Sequence, residues 1–382
     1  MRVLQIHNRY RQAGGEDVVV HAEAELLRAQ GWEVVQHLAD NPTGTLPSLV
    51  ALAQAPANRG SARAVDEMVR TVEPDVVHIH NTWFQLSPAV AKAAHRHAPV
   101  VLTVHNYRLM CANAQLLRNG RPCRLCVDGS LWNGILHSCY HDPASSAAAA
   151  LTIGWGRRQV WDSQVDLFLA LSNFAIELLA EAGLRHERTT LKDNFVPDPG
   201  PRTRPAAESS RVLFVGRLSA EKGVREVVRH RAEIKRAGLE LKIIGDGPLR
   251  DEVAALGGDV LGRLAPDQLR QEMLSARAVL MPSLWYEGQP RTALEAFAAG
   301  LPVAGSAHGA LGELLLAQGE QWTFDPFGDW QPVLSTLTDD RRVAHGSVTA
   351  RQLWQERFGP EIAMSALLAA YQRAIETHHG HG

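Results

Sequence analysis

Short apolar runs alternate with longer amphipathic stretches along most of the chain, and this pattern predicts strands that alternate with helices. In the first half, the apolar runs predict strands at Val3–His7, Trp32–His37, Val76–His80, Val100–Val104, Val165–Leu171 and Thr189–Phe195. The stretches between them predict helices at Val18–Gln30, Ala62–Thr71, Pro88–His97, Ala144–Gln164 and Phe174–Ala182. Residues 42–61 are rich in Pro, Gly, Ala and Ser and are predicted to form a loop. The alternation is typical of a parallel α/β sheet with helices on both faces.

Prolines concentrate in residues 197–205, which predicts a linker, and the same alternation begins again after it. Strands are predicted at Arg211–Val215, Leu241–Ile244, Val260–Gly262, Val279–Pro282 and Pro302–Gly305, the last followed by the stretch Gly309–Leu316. Helices are predicted from Gly223 to Arg236 and at Pro248–Ala255, Pro266–Ala276 and Arg291–Ala299. The amphipathic stretch Gln352–Thr377 predicts a terminal helix that packs on the core. The fold class is therefore α/β, with two doubly wound halves joined by a proline-rich linker.

The composition is that of an ordinary globular protein: 382 residues, of which 45% are hydrophobic and 21% charged, suggest about two domains. A formal net charge of −2 implies no general attraction to nucleic acid. The first strand follows Met1 and Arg2 directly, so we expect no secretory signal. The longest apolar run, Ala147–Ile153, is far shorter than the roughly 20 residues that span a bilayer. We expect a soluble, cytoplasmic protein, and a peripheral contact with a membrane is compatible with this.

Two features of the first half suit a ligand site at the carboxyl edge of the sheet, where open α/β sheets bind ligands. Gly14 and Gly15 lie at the first strand-to-helix turn, where glycine lets the backbone approach a ligand closely; the alternative is a tight turn only. His105 and Asn106 follow the strand Val100–Val104. The alternative for His105 is an ordinary polar residue in a loop.

All four cysteines fall in one segment, at Cys111, Cys123, Cys126 and Cys139. In a cytosolic protein we expect no disulfides, and a C-x2-C pair with two flanking cysteines could supply four thiolates to a zinc ion. Such a site would be structural, because four thiolates leave no open coordination position. The alternative is a set of free thiols in a mobile loop.

The stretch Ser283–Gly300 predicts a strand end, a turn and a helix start. Pro290 suits the first helical position, and Gly300 suits the residue just past the helix end. The free N–H groups and the dipole of such a helix start suit a phosphate. Glu287 in the turn and Glu295 in the helix could then reach two different parts of one ligand.

A second candidate anion site lies in the same half. Arg217 and Lys222 flank a turn at the end of the strand Arg211–Val215, and two such cations suit a diphosphate. The alternative is a pair of solvated charges. Gly245, Asp246 and Gly247 end the next strand on the same edge of the sheet, so three ligand-type loops meet there.

These motifs, in this order, resemble the C-terminal half of glycosyltransferase family 4. The segments that carry the resemblance are Gly216–Gly223, Ile244–Pro248, Pro282-Ser283 and Glu287 with Glu295. The Gly14-Gly15-Glu16 turn and the segment Leu102–Asn106 resemble the N-terminal half of the same family, and Asn106–Cys111 with the later cysteines resembles a subgroup of it. The resemblance covers nearly the whole chain. The segment Gly288-Gln289-Pro290 departs from the Gly-Phe-Gly that many members have there, so the donor-sugar contact is expected to differ.

The resemblance implies a GT-B fold, in which two Rossmann-like domains face each other across a cleft. It implies an acceptor-binding domain over residues 1–195 with a cysteine-rich insertion at 106–142, a donor-binding domain over 196–358, and a terminal helix at 359–382 that crosses back towards the first domain.

The resemblance also implies residue roles. Arg217 and Lys222 would hold the donor diphosphate, Glu287 the donor sugar, and Glu295 the ribose hydroxyls, while His105 would line the reaction centre. The residues implied in catalysis are His105, Arg217, Lys222 and Glu287. Those implied in donor binding are Gly14, Gly15, Arg217, Lys222, Gly245, Gly262, Arg263, Glu287, Gly288, Gln289, Pro290, Arg291, Thr292 and Glu295. Acceptor binding is assigned to Asn106 and Tyr107.

The implied reaction is retaining transfer of a sugar from a UDP- or GDP-sugar to a hydroxyl of a saccharide, a lipid-linked glycan or a natural product. No Asp-x-Asp pair is placed to hold a divalent ion, so protein cations would stabilise the leaving diphosphate. No carboxylate is placed as a nucleophile, which favours front-face attack over a glycosidase-type carboxylate pair. The alternatives are a GT-B nucleotide-sugar epimerase, which would act without an acceptor, and a catalytically silent donor-binding protein. A Rossmann dehydrogenase is disfavoured, because no Gly-x-Gly-x-x-Gly follows either first strand.

Overall fold

The computed structural model describes residues 1–10, 14–202 and 204–380. The chain divides into two compact units. Unit 1 contains residues 1–116, 123–193 and the chain from Ala363 onward, and unit 2 contains residues 117–122 and 194–362.

Unit 1 is built on a six-stranded parallel sheet with the strand order β2-β1-β3-β4-β7-β8. Its strands are β1 Arg2–Arg9, β2 Glu33–Asp40, β3 Val76–Asn81, β4 Val100–Val104, β7 Leu167–Ala170 and β8 Thr189–Leu191. The short antiparallel pair β5 Leu117–Arg118 and β6 Arg121–Pro122 lies in the cysteine segment. Strands β3, β4 and β7 are buried along their whole length, because helices cover both faces of a parallel sheet.

Within the described residues, eight helices of unit 1 precede the proline-rich segment, and the terminal helix of the chain adds to them. The eight are α1 Gly15–Ala29, α2 Thr45–Gln54, α3 Arg59–Val72, α4 Ala89–Ala94, α5 Leu125–Asp128, α6 Trp132–Leu136, α7 Pro143–Gly156 and α8 Asn173–Glu181. Polar N-caps start three of them: the side chains of Asn58, Asp142 and Ser172 accept hydrogen bonds from the backbone of α3, α7 and α8. The alternation predicted from the sequence is therefore present in unit 1.

Several elements of unit 1 have other bounds than predicted: α1 begins at Gly15 instead of Val18, α4 spans Ala89–Ala94 instead of Pro88–His97, and β8 ends at Leu191 instead of Phe195. Three further predictions are wrong in detail. The loop expected at residues 42–61 contains α2 and the start of α3; Pro47 is tolerated there because it lies in the first turn of α2. The helix expected at Ala144–Gln164 ends at Gly156 and continues as a π-helical turn, Arg157–Trp161. The second strand begins at Glu33, after Trp32, whose ring packs against Tyr371 with centroids 5.8 Å apart.

Unit 2 repeats the architecture with a six-stranded parallel sheet in the order β11-β10-β9-β12-β13-β14. Its strands are β9 Arg211–Val215, β10 Glu240–Ile244, β11 Val260–Gly262, β12 Ala278–Met281, β13 Val303–Ser306 and β14 Thr323–Phe324. Successive residues of β9 alternate between two cores: Leu213 packs on one face of the sheet, whereas Val212 and Phe214 pack on the other. The predicted doubly wound sheet is thus present in unit 2 as well.

The helices predicted in the second half are present, two of them divided or interrupted, and two further helices, Gln331–Thr338 and Asp340–Leu353, were not predicted. In chain order the helices are α9 Val224–Arg229, α10 Arg231–Arg236, α11 Arg250–Ala255, α12 Pro266–Ser275, α13 Arg291–Ala298, α14 Gly309–Gln318, α15 Gln331–Thr338, α16 Asp340–Leu353 and α17 Pro360–His379. The helix expected up to Arg236 is divided at His230 into α9 and α10. The terminal helix expected at Gln352–Thr377 is interrupted by a π-helical turn at Trp354–Phe358, and α17 begins at Pro360 because proline suits a first helical position.

The proline-rich segment after β8 is fixed to unit 2 by hydrogen bonds. The backbone N–H of Val196 donates to the carbonyl of Phe358 at 3.1 Å, and the Trp354 indole donates to the carbonyl of Val196 at 3.0 Å. The Arg202 guanidinium donates to carbonyls at the ends of α12 and α13.

Helix α17 packs on the sheet of unit 1 from Ala363 onward. Leu367, Ala370 and Ala374 belong to the same apolar cluster as Val3 of β1. The Tyr371 hydroxyl lies 2.9 Å from Nδ1 of the buried His78 in β3. Across the described residues, none of the helices combines the length and the apolarity needed to cross a bilayer.

Candidate functional site

The loops at the carboxyl edge of the unit 2 sheet are joined backbone to backbone. The N–H of Gly216 donates to the carbonyl of Ile244 at 3.0 Å, that of Leu218 to Asp246 at 3.0 Å, and that of Gly245 to Gly262 at 2.9 Å. Gly245 has φ +144°, and a Cβ there would overlap the carbonyl oxygen of Gly216. The loops after β9, β10 and β11 therefore form one rigid surface that requires glycine at its closest approach.

An ion pair between Lys222 and Glu287 lies at this edge. Lys222 Nζ is 2.8 Å from Oε1 and 3.0 Å from Oε2 of Glu287. Ser283 Oγ donates to Glu287 Oε1 at 2.6 Å, and Glu287 is buried. Lys222 Nζ also lies 5.0 Å from the centre of the Trp285 ring, within cation–π range. The contacts with Glu287 and Trp285 hold the ammonium in one position. The Lys222 side chain is 24% exposed, so a ligand can still reach it from solvent.

Gly223 explains how the two loops that carry Lys222 and Glu287 come so close. Its φ is +71°, and a Cβ there would overlap the carbonyl oxygen of Pro282. The N–H of Leu284 donates to the carbonyl of Glu221 at 2.8 Å, which joins the loop after β9 to the loop after β12. Strands β9 and β12 are neighbours in the sheet, so their carboxyl ends deliver these loops side by side.

Arg217 lies in the same turn but in a different environment. It is exposed, and within the described part of the chain its guanidinium has neither a hydrogen bond nor an ion pair. Arg263 is likewise exposed, just beyond Gly262, whose φ is +75°. Arg217 therefore offers a cation that no carboxylate in the described ranges neutralises.

Helix α13 begins within this edge. Pro290 is the N-cap and Arg291 the first helical residue, so the prediction that Pro290 is the first helical residue is wrong by one position. Gly300 has φ +57°, as expected for the residue just past the helix end. The Gln289 side chain accepts a hydrogen bond from the backbone N–H of Asn194 at 2.6 Å, so this side chain anchors the start of unit 2. The first N–H groups of a helix lack intrahelical acceptors, which makes Arg291 and Thr292 donors for an anion.

Glu295 lies one turn into α13 and pairs with Arg291, whose Nη2 is 3.1 Å from Glu295 Oε1. Burial raises the pKa of Glu295, and the Arg291 charge opposes that shift. The side chain remains 31% exposed, so the carboxyl can also accept hydrogen bonds from a ligand. The structure thus gives Glu287 and Glu295 separate cationic partners.

In unit 1, His105 lies just past the carboxyl end of β4 and contacts another histidine. His105 Nε2 is 3.0 Å from Nδ1 of His80 at the end of β3, and the two rings stack with centroids 5.3 Å apart. Burial lowers the pKa of both imidazoles well below the usual range, and neighbouring cationic groups lower it further. Both rings are therefore neutral near pH 7. His105 is half-buried, so one side of its ring is accessible.

A buried ion pair lies next to His80 and to His78 of the same strand. Glu23 of α1 forms an ion pair with Lys192, and both side chains are almost completely buried. The second carboxylate oxygen of Glu23 lies 3.7 Å from His78 Nδ1 and 3.7 Å from His80 Nε2. His78 Nε2 bonds to the Thr103 hydroxyl at 2.7 Å. Glu23, His80 and Lys192 were not predicted as site residues. For His80 the sequence did contain a signal, because this histidine lies at the end of the strand next to β4.

The glycine turn of unit 1 begins helix α1. Gly14 is its N-cap, with its N–H 2.7 Å from Asp17 Oδ2, and Gly15 is its exposed first residue. Asp17 Oδ1 in turn lies 2.9 Å from His7 Nε2. The turn therefore presents a helix start at the same sheet edge as His105.

Glu16, which the sequence analysis did not select as a site residue, is central to this edge. Its Oε2 accepts hydrogen bonds from the Tyr10 hydroxyl at 2.8 Å and from Asn106 Nδ2 at 3.2 Å. Burial raises the pKa of Glu16 to about 8. Glu16 therefore links the ends of β1 and β4 and carries its proton at neutral pH. Tyr107 is buried and packs edge-on against Phe174, with centroids 6.2 Å apart.

The four cysteines lie close enough to influence one another. Cys126 is buried, and burial, followed by the charges of Cys111, Cys139 and Cys123, raises its pKa to about 11. Cys111 donates to Asn113 Oδ1 at 2.9 Å. Among the described residues, the groups of three or more His, Cys, Asp or Glu whose ligand atoms all lie within 4.8 Å of one another include no cysteine.

Comparison with known proteins agrees with this architecture. Residues 14–194 match the family model described as glycosyl transferase 4-like domain, and residues 209–331 match the model described as glycosyl transferases group 1. The chain is 28% identical to the glycogen synthase of Mycobacterium tuberculosis (strain H37Rv) over 321 residues, which cover 80% of this chain and 70% of that protein. It is 31% identical to the D-inositol 3-phosphate glycosyltransferase of Kineococcus radiotolerans over 219 residues, 48% of this chain and 49% of the relative.

Solved structures share the fold over almost the full length. Anabaena Alr3699/HepE in complex with UDP superposes with a TM-score of 0.66 at 17% identity, covering 97% of this chain and 100% of that one. Sucrose-phosphate synthase from Thermosynechococcus elongatus gives a TM-score of 0.69 at 17% identity, covering 97% and 98%. The two family models together match more than half of the chain, so this protein belongs to the family 4 type of glycosyltransferases, with the GT-B fold.

Proposed function

We propose that this glycosyltransferase moves a sugar from a nucleotide-diphosphate sugar to a hydroxyl acceptor with retention at the anomeric carbon. The observation that carries the proposal is the edge of unit 2 where Lys222, held by Glu287, lies in the same turn as the unpaired Arg217. One fixed cation and one adaptable cation, beside a helix start, suit a diphosphate whose charge grows as the glycosyl bond breaks. The complex of HepE with UDP supports a uridine diphosphate donor, and a GDP-sugar is the second donor to test.

In this proposal the donor lies along the carboxyl edge of the unit 2 sheet. Arg217, Lys222 and the N–H groups of Arg291 and Thr292 bind the diphosphate, and Glu295 accepts from the ribose hydroxyls. Glu287 binds the donor sugar with Gly288 and the backbone of Gln289, while Gly245, Gly262 and Arg263 border the base. Gly14 and Gly15 let the first-unit turn touch the diphosphate.

His105 is assigned to the reaction centre, and Asn106 with the loop at Tyr107 to the acceptor. Because the imidazole of His105 is neutral, it can accept or donate one hydrogen bond to a sugar hydroxyl without adding a charge. The acceptor proton goes to a phosphate oxygen on the face that the leaving group occupies, so no protein carboxylate is needed as nucleophile. In this scheme protein cations, instead of a divalent metal ion, stabilise the charge of the leaving diphosphate. Any zinc held by Cys111, Cys123, Cys126 and Cys139 is structural.

The acceptor classes proposed are a saccharide, a lipid-linked glycan and a natural product. Cytoplasmic location, with peripheral contact at the inner face of a membrane for a lipid-linked acceptor, is part of the same proposal.

A donor screen tests the proposal directly. Thermal unfolding is followed with UDP, GDP and a panel of their sugars, because a ligand that binds the native state raises the melting temperature by mass action. We expect a UDP- or GDP-sugar to stabilise the protein, and the Arg217→Ala variant to lose that shift while Arg236→Ala, an exposed cation outside the site, keeps it. Absence of a shift with every nucleotide sugar would refute the donor assignment.

The stereochemistry and the reaction class need a second measurement. Once a donor is found, NMR of the anomeric proton in the product formed with an acceptor distinguishes retention from inversion. Inversion would remove the front-face proposal. Conversion of the donor to an epimer in the absence of any acceptor would refute the transferase proposal and indicate an epimerase.

A further inference from the structure

Three side chains with metal-ligating atoms meet in unit 1, away from the proposed sugar-transfer residues. They come from three different elements: His95 follows α4, Asp166 immediately precedes β7, and His378 lies in the last turn of α17. The ligand atoms of the three side chains all lie within 4.8 Å of one another. Two imidazoles and one carboxylate form a ligand set typical of zinc and other divalent transition metals.

The carboxylate of this group is fixed before any ligand binds. Asp166 is only 3% exposed, and its Oδ2 accepts a hydrogen bond from the backbone N–H of Val100 at 2.7 Å. The backbone N–H of Asp166 donates to the carbonyl of Val100 at 2.9 Å, so β4 holds the residue on both sides. The His95 and His378 side chains are about one-fifth exposed, which leaves an approach from solvent.

Each imidazole lies near a different carboxylate oxygen of Asp166, at a distance that two ligands of one metal ion can have. His95 Nε2 lies 3.2 Å from Oδ1, and His378 Nδ1 lies 3.3 Å from Oδ2. Two ligands that each lie about 2.0 Å from a tetrahedral zinc ion are about 3.3 Å apart. His378 Nδ1 is buried and has no hydrogen-bond partner within the described chain, so nearness to the carboxylate does not satisfy this nitrogen. The two imidazole rings cross at 77°, with centroids 4.7 Å apart.

A second group of possible metal ligands in unit 1 differs from the first, because a lysine pairs with its carboxylate. Glu23, His78 and His80 also bring three ligand atoms together. There the ammonium of Lys192 pairs with Glu23 and supplies the positive charge that a metal ion would otherwise supply. No lysine or arginine pairs with Asp166 among the described residues; its ion-pair partners are His95 and His378.

We propose that His95, Asp166 and His378 bind a divalent transition metal, with Zn²⁺ as the probe, and that the metal fastens the end of α17 to unit 1. Nothing in the proposed sugar transfer requires this site. Water completes the coordination shell on the solvent side. The metal would connect the chain from α4 and β7 to the last turn of a helix that also packs through apolar contacts, the Tyr371–His78 hydrogen bond and a hydrogen bond from Arg373 to the carbonyl of Glu187. A metal that binds only the native state raises the stability of the whole unit by mass action.

Titration of the chelator-treated protein with Zn²⁺ tests the site. We expect binding of one Zn²⁺ per chain, with a rise in melting temperature, in wild type and in His379→Gln. We expect His378→Gln and His95→Gln to weaken Zn²⁺ binding by more than about 100-fold, because loss of a direct ligand costs more than loss of an outer-shell partner. His97→Gln is the matched control for His95→Gln, because His97 bonds to Asp66 instead. The His378 side chain is 20% exposed in the last turn of α17 and does not belong to the apolar cluster of unit 1, so we expect its replacement to leave the core intact.

Substitution with Co²⁺ separates this site from the cysteine segment. A cobalt ion held by nitrogen and oxygen gives visible ligand-field bands without a thiolate charge-transfer band in the near ultraviolet. Absence of stoichiometric metal, or binding that survives both His95→Gln and His378→Gln, would overturn the proposal. A thiolate band that disappears with Cys126→Ser would assign the metal to the cysteines and would overturn it as well. None of these outcomes depends on sugar transfer, so failure here leaves the proposed function standing.

Discussion

Lys222 Nζ lies within hydrogen-bond distance of both carboxylate oxygens of Glu287, at 2.8 and 3.0 Å, although 65 residues separate the two in the chain. The pair places a fixed positive charge at the carboxyl edge of a parallel sheet, beside the start of α13. Arg217 is exposed in the same turn and has no carboxylate partner among the residues that the structure describes. The pair therefore positions one cation in advance, and Arg217 remains available to follow the charge of a departing diphosphate.

Replacement of Lys222 by alanine should remove sugar transfer. In the proposed mechanism the ammonium lies where negative charge develops, and loss of one such donor typically lowers kcat by about 10²–10³-fold. Lys235→Ala is the matched control, because Lys235 is an exposed lysine on α10 outside the site. Steady-state kinetics with the donor found in the screen measure the effect, and a circular dichroism spectrum checks the fold. Wild-type turnover in Lys222→Ala would remove Lys222 from the diphosphate site.

Glu295→Ala should chiefly weaken donor binding. Glu295 pairs with Arg291 in the first turn of α13, and its carboxyl is partly exposed, so its loss removes an acceptor for the ribose and leaves the sheet untouched. A hydrogen bond to a charged group contributes about 1.5–3 kcal/mol, which corresponds to roughly a tenfold to hundredfold weaker donor affinity. Isothermal titration with the nucleotide diphosphate measures it. Donor affinity equal to that of wild type would refute the ribose role.

The sheet order explains why the sequence predicted most of the fold and only part of the site. The alternation of apolar runs and amphipathic stretches predicted both parallel sheets, because strands buried on both faces are apolar along their length. The pairing of Lys222 with Glu287 requires β9 to lie beside β12, and spacing along the chain does not show which strands are neighbours. The sequence therefore predicted both residues as site members and missed their contact.

Glu16 and helix α2 of unit 1 were not predicted for a related reason: contacts between distant parts of the chain determine both. From the sequence, Glu16 was only part of the turn before the helix predicted at Val18–Gln30. The hydrogen bonds from Tyr10 and Asn106 to its carboxyl show that it bridges two strand ends. Helix α2 was predicted as a loop because residues 42–61 are rich in Pro, Gly, Ala and Ser, and packing of Ala51 and Ala55 into the unit compensates for that weak local signal.

Gly245→Ala should destabilise the protein more than Gly238→Ala. Both glycines have positive φ, +144° and +78°, so either alanine strains the backbone by about 1–2 kcal/mol. Only at Gly245 would the new Cβ overlap a neighbouring backbone oxygen, that of Gly216; at Gly238 nothing lies within 4 Å. Urea unfolding of the two variants measures the difference. Equal losses of stability in both would show that the close approach between the loops after β9 and β10 is not required.

Glu16 should make unit 1 less stable as the pH rises. Burial raises the pKa of Glu16 to about 8, against 4.5 for an unperturbed side chain. A carboxyl whose pKa is raised in the folded state binds its proton more tightly there than in the unfolded chain. Its contribution to stability is therefore complete below pH 4.5 and is lost as the pH rises towards 8. Melting temperatures measured between pH 5 and pH 8 should fall more in wild type than in Glu16→Gln, whose amide cannot ionise and can still bond to Tyr10. Glu25→Gln is the matched control, because Glu25 is an exposed acid of the same helix. An identical pH dependence in wild type and Glu16→Gln would show that Glu16 is ionised in the native protein.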